Sequence, residues 1–168
     1  MLDQVVNVFD GFRLEQRSKI TDAWSDWIAD QRQWSSFISL TFKDEISQDA
    51  ALGAWGRLLR TLNIEVVGKN YTRIVHHSYF SYCLGLERQT RGVLHIHGIV
   101  DRPIDFKLIH RYWNAAGGWV WIGRVEDRIG VVEYLTKYVV KGGEIMPYLA
   151  AAPPYQLKPG KVFTWWIE

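Results

Sequence analysis

Two histidines, His95 and His97, stand one residue apart in the run VLHIHG, residues 93 to 98. In an extended strand, residues i and i+2 point to the same face, so the imidazoles project side by side. Such a pair is either half of a metal site or a hydrogen-bonded couple on a polar sheet face. A carboxylate could join it: Glu87 lies just upstream, across the connection RQTRG. A hairpin folded about Arg91 sets Glu87 directly opposite His95, whereas a one-residue slip turns it to the other face. Two imidazoles and a carboxylate leave coordination positions open, which suits Lewis-acid work on a phosphate. Mn²⁺ or Mg²⁺ fits that chemistry, and zinc would accept the same donors. Gly85 and Gly98 flank the area and allow close approach of a backbone or ligand.

A second cluster of reactive side chains lies in EYLTKYVVK, residues 133 to 141. At about 100° per residue, Gly130, Tyr134, Lys137 and Lys141 form one helical stripe, while Val131, Val132, Leu135 and Val139 face elsewhere. Tyr138 sits about 40° from Tyr134, turned toward the apolar side, where it either shares the site or packs. A phenol, with a pKa of about 10, is a poor nucleophile at neutral pH. A polarised phosphate and a neighbouring lysine would ease its ionisation, and the lysine would also neutralise charge on phosphate oxygens. Without the histidine pair, the same spacing describes an ordinary surface helix.

The elements that must hold these groups can be read from periodicity. Residues 1 to 33 predict two short amphipathic helices interrupted by Gly11. WSSFISLTFKD, 34 to 44, reads as a strand, followed by a helix capped by Ser47 with Ala51, Leu52, Trp55, Leu58, Leu59 and Leu62 on one face. Strands are expected near 63 to 68 and 73 to 87, then the returning strand VLHIHGIV. A helix begun by Asp105 and stopped by Gly117 and Gly118 precedes the strand WVWIGRV. The tyrosine-bearing helix has Asp127 as its cap and Gly142 at its end. This order predicts an α+β fold, an antiparallel sheet with helices packed mainly on one face.

With 168 residues, 48% of them hydrophobic, the chain suits one domain. A formal charge of +2 permits nucleic-acid binding without arguing for it. The single cysteine, Cys83, excludes an internal disulfide and reads as buried filler. No stretch approaches the roughly 20 apolar residues of a membrane span, and the N-terminal residues lack an apolar signal core, so a soluble, unexported protein is expected. Nine tryptophans can fill a core or stack on unpaired bases. Trp113, Trp119 and Trp121 are the candidates for stacking, although core packing is the expectation for alternating strand tryptophans. His76, His77 and His110 receive no role; adjacent His76 and His77 face opposite ways in a strand.

Three segments taken together resemble the HUH endonuclease superfamily, specifically the rolling-circle replication initiator (Rep) proteins of small single-stranded DNA phages, viruses and plasmids. FISLTF (37 to 42) looks like their first motif, HIHG (95 to 98) like their His-hydrophobic-His motif, and YLTKYVVK (134 to 141) like their tyrosine motif. The resemblance implies a ferredoxin-like HUH fold in which His95, His97 and Glu87 bind a divalent cation. It implies that Tyr134 attacks the scissile phosphodiester, with Lys137 one turn on. The product would be a 5′-phosphotyrosine link and a free 3′-hydroxyl, on single-stranded or hairpin origin DNA. Tyr138 satisfies the YxxxY spacing of two-tyrosine members and would be a second nucleophile. The implied organisation is a helical extension at 1–33, a nuclease core at 34–145 and a packed tail at 146–168.

No GxxxxGK[ST] phosphate loop is present, so a host helicase and polymerase would be needed. The expected location is the cytoplasm in a prokaryotic host and the nucleus for a eukaryotic virus. A single-domain HUH transposase would use the same chemistry. A noncatalytic single-strand-binding module would use the same sheet with structural histidines.

Overall fold

The computed structural model describes residues 14–75, 78–89, 92–115, 118–140 and 145–150. The alternation in SFISLT makes a strand, β1 (Ser36–Thr41), that buries Ser36, Ile38 and Leu40 on one face and turns Phe37, Ser39 and Thr41 to the other. It pairs with β3 (Leu94–Val100) on one side and β4 (Trp119–Arg124) on the other. The hairpin partner of β3 is β2 (Tyr82–Arg88), and β5 (Ile145–Tyr148) adds the far edge. The sheet is antiparallel throughout, in the order β4-β1-β3-β2-β5. Every residue of the central strand β3 is buried, the two histidines included.

Ile38, Leu40, Leu84, Leu86, Leu94 and Ile96 share the main core with α2 (Gln48–Val67) and α4 (Phe106–Ala115). On the opposite face, Cys83 and Ile99 pack against Ile28 of α1 (Leu14–Gln31) and Val132 and Leu135 of α5 (Arg128–Val140). The fold is therefore the expected α+β class, but its helices cover both faces. The apolar stripe of α5 needs a cover of its own, and β2 and β3 supply it. Burial pushes the Cys83 thiol up to about 12, so it stays protonated and inert, as filler should.

Side-chain caps start three helices where the sequence places them. Ser47 accepts from the Ala50 amide at 3.2 Å, Asp105 from the Lys107 amide at 2.7 Å, and Asp127 from the Gly130 amide at 3.0 Å. The expected strand at 63 to 68 does not form. The β-branched run IEVV continues α2 to Val67, where the Gly68 amide, at a φ of 108°, closes on the Ile64 carbonyl. Asn63 explains the difference. Fully buried, it donates to the Leu59 carbonyl at 2.7 Å and accepts from the Tyr79 amide at 2.6 Å, which requires a helical backbone at that point. Tertiary bonding outweighs the weak strand preference of Ile and Val.

The expected strand at 73 to 87 begins only at Tyr82. A short helix, α3 (Thr72–Val75), precedes it, and the Ser78 hydroxyl accepts from the Phe80 amide at 3.0 Å in a local turn. Residues 1 to 13, including Gly11 and the first expected N-terminal helix, lie outside the described residues, as do His76, His77, Arg91, Gly117 and Gly142. Leu58, fully buried beneath the sheet, tests the core. Leu58→Ala is expected to cost about 2–5 kcal/mol in urea unfolding, through lost apolar burial and an unfilled cavity.

Candidate nuclease site

The antiparallel register sets two rows of side chains across the face that α5 partly covers. One row runs Trp119, Thr41, His95, Glu87, and the next runs Trp121, Ser39, His97, Gly85. Glu87 thus lies opposite His95, the register that a hairpin about RQTRG requires. Its carboxylate leans diagonally and meets His97 Nε2 at 3.1 Å, past Gly85, which has no side chain to intervene. Strand β1 braces both imidazoles from the other side: Ser39 Oγ lies 3.3 Å from His97 Nδ1, and Thr41 Oγ1 lies 3.4 Å from His95 Nδ1. The two rings are 6.0 Å apart between centroids.

Burial is the main force on His97 and holds it below the ordinary imidazole range, reinforced by Lys137 and opposed by Glu87. The ring is therefore neutral near pH 7. A carboxylate only accepts, so the proton sits on Nε2, donated to Glu87, and Nδ1 accepts from the Ser39 hydroxyl. A neutral imidazole is the form that binds metals. Two imidazoles and a carboxylate on one sheet face are by chemistry a donor set for a divalent cation. Among the described residues, no three His, Cys, Asp or Glu side chains already converge on one point. The hydrogen bond between Glu87 and His97 engages groups that such a cation would share.

Helix α5 brings its tyrosine to this pair. The Tyr134 ring meets His97 edge-on at 5.6 Å and Phe37 edge-on at 5.7 Å, and it remains 39% exposed. Lys137, one turn along, places Nζ 3.4 Å from the centre of the Tyr134 ring. Phe37 also stacks on His97 at 6.1 Å and 20°, so one aromatic side chain buttresses both the tyrosine and the histidine. Tyr138 is part of α5, one turn after Tyr134; its side chain lies outside the described residues.

The position of α5 is fixed from behind by α1. Thr136 Oγ1 donates to the Val132 carbonyl at 3.0 Å and accepts from Ser25 Oγ at 2.6 Å, a buried link between the helices. Ile28 of α1 packs with Val132 and Leu135 beside it. The segment before the first motif, for which the sequence offers only a cap or a DNA-gripping element, contributes here a brace for the tyrosine helix. Sequence reasoning also gave no roles to Phe37, Ser39 and Thr41. Their signal was available: they are the alternate residues of β1 that face away from the Ile38 and Leu40 core.

The same parity brings Trp119 and Trp121 onto this face, each 59% exposed, which corrects the expectation that strand tryptophans fill the core. On β4 the core-facing positions belong to Val120 and Ile122. Trp113 does follow the core expectation: it is buried in α4 and donates through Nε1 to the Thr41 carbonyl at 3.1 Å. His110 lies exposed on α4 beside Asn114, remote from the pair on β3 in sequence and on a different element.

The stretch from β1 through α5 that builds this arrangement coincides with a family match. Residues 35–143 match the family of replication-associated proteins of the ORF2 type. The chain belongs to that family. As a replication-associated protein it carries its histidine pair, Glu87, Tyr134 and Lys137 wholly within the matched segment. Among solved structures it is similar to the hypothetical protein ORF119 from Sulfolobus islandicus rod-shaped virus 1, at 16% identity and a TM-score of 0.41. That likeness covers 74% of this chain and 92% of the other. No curated protein matches significantly. Among the described residues, no helix is long and apolar enough to cross a membrane.

Proposed function

We propose that this replication-associated protein is a metal-dependent HUH-type nickase and strand transferase that opens a single-stranded or hairpin origin through Tyr134 and initiates rolling-circle replication. The observation that carries the reading is the contact of Tyr134 with His97, itself bonded to Glu87, on one sheet face. In the reaction, Tyr134 Oη attacks the scissile phosphorus. A P–Oη bond forms as the P–O3′ bond breaks, the phenolic proton passes to solvent, and the departing O3′ takes up a proton. The released 3′-hydroxyl can prime a host polymerase, and attack by a 3′-hydroxyl on the tyrosyl phosphate rejoins the strand.

His95, His97 and Glu87 would hold the cation. When bound, Mn²⁺ or Mg²⁺ supplies a Lewis acid that polarises the phosphate. Lys137 lies against the Tyr134 ring, where its charge favours phenolate and meets negative charge on the phosphate oxygens. Phe37 fixes the tilt of the tyrosine ring relative to His97. Ser39 and Thr41 hold the imidazoles in one orientation, the supporting role that hydrogen-bond partners of metal ligands commonly have.

The test uses single-stranded hairpin oligonucleotides of varied sequence with Mn²⁺, labelled at either end. An SDS-stable adduct should carry the 3′-terminal label, and the 5′-labelled fragment should be released and extendable by a polymerase. An adduct carrying the 5′ label instead would reverse the polarity of the reading. No adduct with any oligonucleotide or metal would return the chain to the noncatalytic binding alternative.

A further inference from the structure

We infer that Trp119 and Trp121 form a stacking platform for two unpaired bases of the DNA strand held at Tyr134; the inference rests on the nickase reading. Strand β4 is the edge of the sheet, and its two indoles stand on the face that carries the histidine pair. Both are 59% exposed, an unusual use of the largest aromatic side chain on a strand whose intervening residues join the core. Residues two apart on a strand are separated by about 6.6 Å, room for each indole to offer its own surface.

The orientation of Trp121 is built in. Its six-membered ring lies over Gly123, where a Cβ would overlap it, so the missing side chain lets the indole recline along the strand. From there it meets Phe37 edge-on at 5.7 Å, and Phe37 in turn meets Tyr134. A continuous run of rings thus links the outer strand to the proposed nucleophile. A strand of DNA with its scissile phosphate at Tyr134 has neighbouring nucleotides within reach of that run.

Unpaired bases match this surface because each has an apolar π-face, and stacking on indole is tolerant of sequence. A second copy of the chain is the competing occupant of an edge strand. Edge pairing, however, uses the backbone amides and carbonyls in the plane of the sheet, whereas these indoles stand out of that plane.

The probe is a fluorescein-labelled oligothymidylate of roughly 16 nucleotides, the upper end of common single-strand site sizes, titrated in EDTA by anisotropy so that no cleavage intervenes. Trp119→Ala and Trp121→Ala are each expected to weaken binding at least about fivefold, and the double variant at least about 25-fold, the range that loss of one and two stacked bases gives. Trp121→Phe should restore part of the loss, and matched duplex should show no dependence on the indoles. Circular dichroism checks that each variant is folded.

Wild-type affinity in the folded double variant overturns the platform. If that variant instead loses self-association by light scattering while keeping its DNA affinity, the indoles belong to an interface between copies and the platform is likewise overturned. Failure of the nickase reading has a different signature: no covalent adduct from wild-type protein with Mn²⁺, whatever the anisotropy shows.

Discussion

Tyr134→Phe is expected to lower the SDS-stable adduct with labelled hairpin DNA and Mn²⁺ by at least about 1,000-fold while leaving the fold unchanged. A covalent nucleophile has no substitute within the site, so its removal costs far more than loss of a supporting contact. The phenylalanine keeps the ring that meets His97 and Phe37, and it keeps the surface beneath the Lys137 ammonium. The position is 39% exposed, so stability should move by no more than about 0.5 kcal/mol. DNA binding in EDTA should persist, which separates loss of chemistry from loss of substrate.

Tyr138→Phe is the necessary companion. With Tyr134 as the attacking group, first-strand cleavage survives Tyr138→Phe, and any defect is confined to a second transfer event. The reverse pattern, an adduct lost with Tyr138→Phe and retained with Tyr134→Phe, would transfer the role of nucleophile one turn along α5. The choice of Tyr134 rests on its observed contact with the Glu87-bonded His97.

The sheet face carrying the histidines was legible because strand geometry is a parity rule. Once VLHIHG is a strand, His95 and His97 must share a face; once RQTRG closes the hairpin, only one register puts Glu87 beside them. Helix starts were equally legible at Ser47, Asp105 and Asp127, since a short polar side chain before an apolar period satisfies amides that the helix leaves open. The extension of α2 was not. IEVV has strand propensity, and the decisive partner, the Tyr79 amide on Asn63, is 16 positions away in sequence. Local pattern carries no trace of a bond between two segments that have not yet been brought together.

The tryptophans show the same boundary from the other side. Alternation in WVWIGRV correctly gives a strand with two faces, yet it does not say which face is covered. That depends on α4 packing beneath Val120 and Ile122, while α5 reaches mainly over β2, β3 and β5. Aromatic residues are usually placed inside by their large apolar area, and here the smaller aliphatic residues take that position. Exposed tryptophan on an active face is thus informative only after the layers are known.

His97→Ala is expected to abolish both metal-dependent stabilisation and metal-dependent cleavage. Wild-type protein titrated with Mn²⁺ should gain thermal stability by mass action, about 2.7 kcal/mol at a metal concentration 100 times the dissociation constant. EDTA should reverse that gain and suppress adduct formation together. In His97→Ala the difference between Mn²⁺ and EDTA should vanish, a comparison that holds even though truncation of a 5% exposed side chain lowers absolute stability.

Loss of a hydrogen-bonding partner of a metal ligand commonly costs about 10- to 100-fold, so loss of the ligand should reduce cleavage at least about 100-fold. Ser39→Ala removes only the hydroxyl that braces His97 Nδ1 and is expected to fall within that lower range. A full metal-induced shift in folded His97→Ala would remove this histidine from the ligand set. Cleavage by wild-type protein in EDTA would show that Tyr134 acts without a cation, and the Glu87–His97 pair would then serve as a proton-handling couple on the phenol.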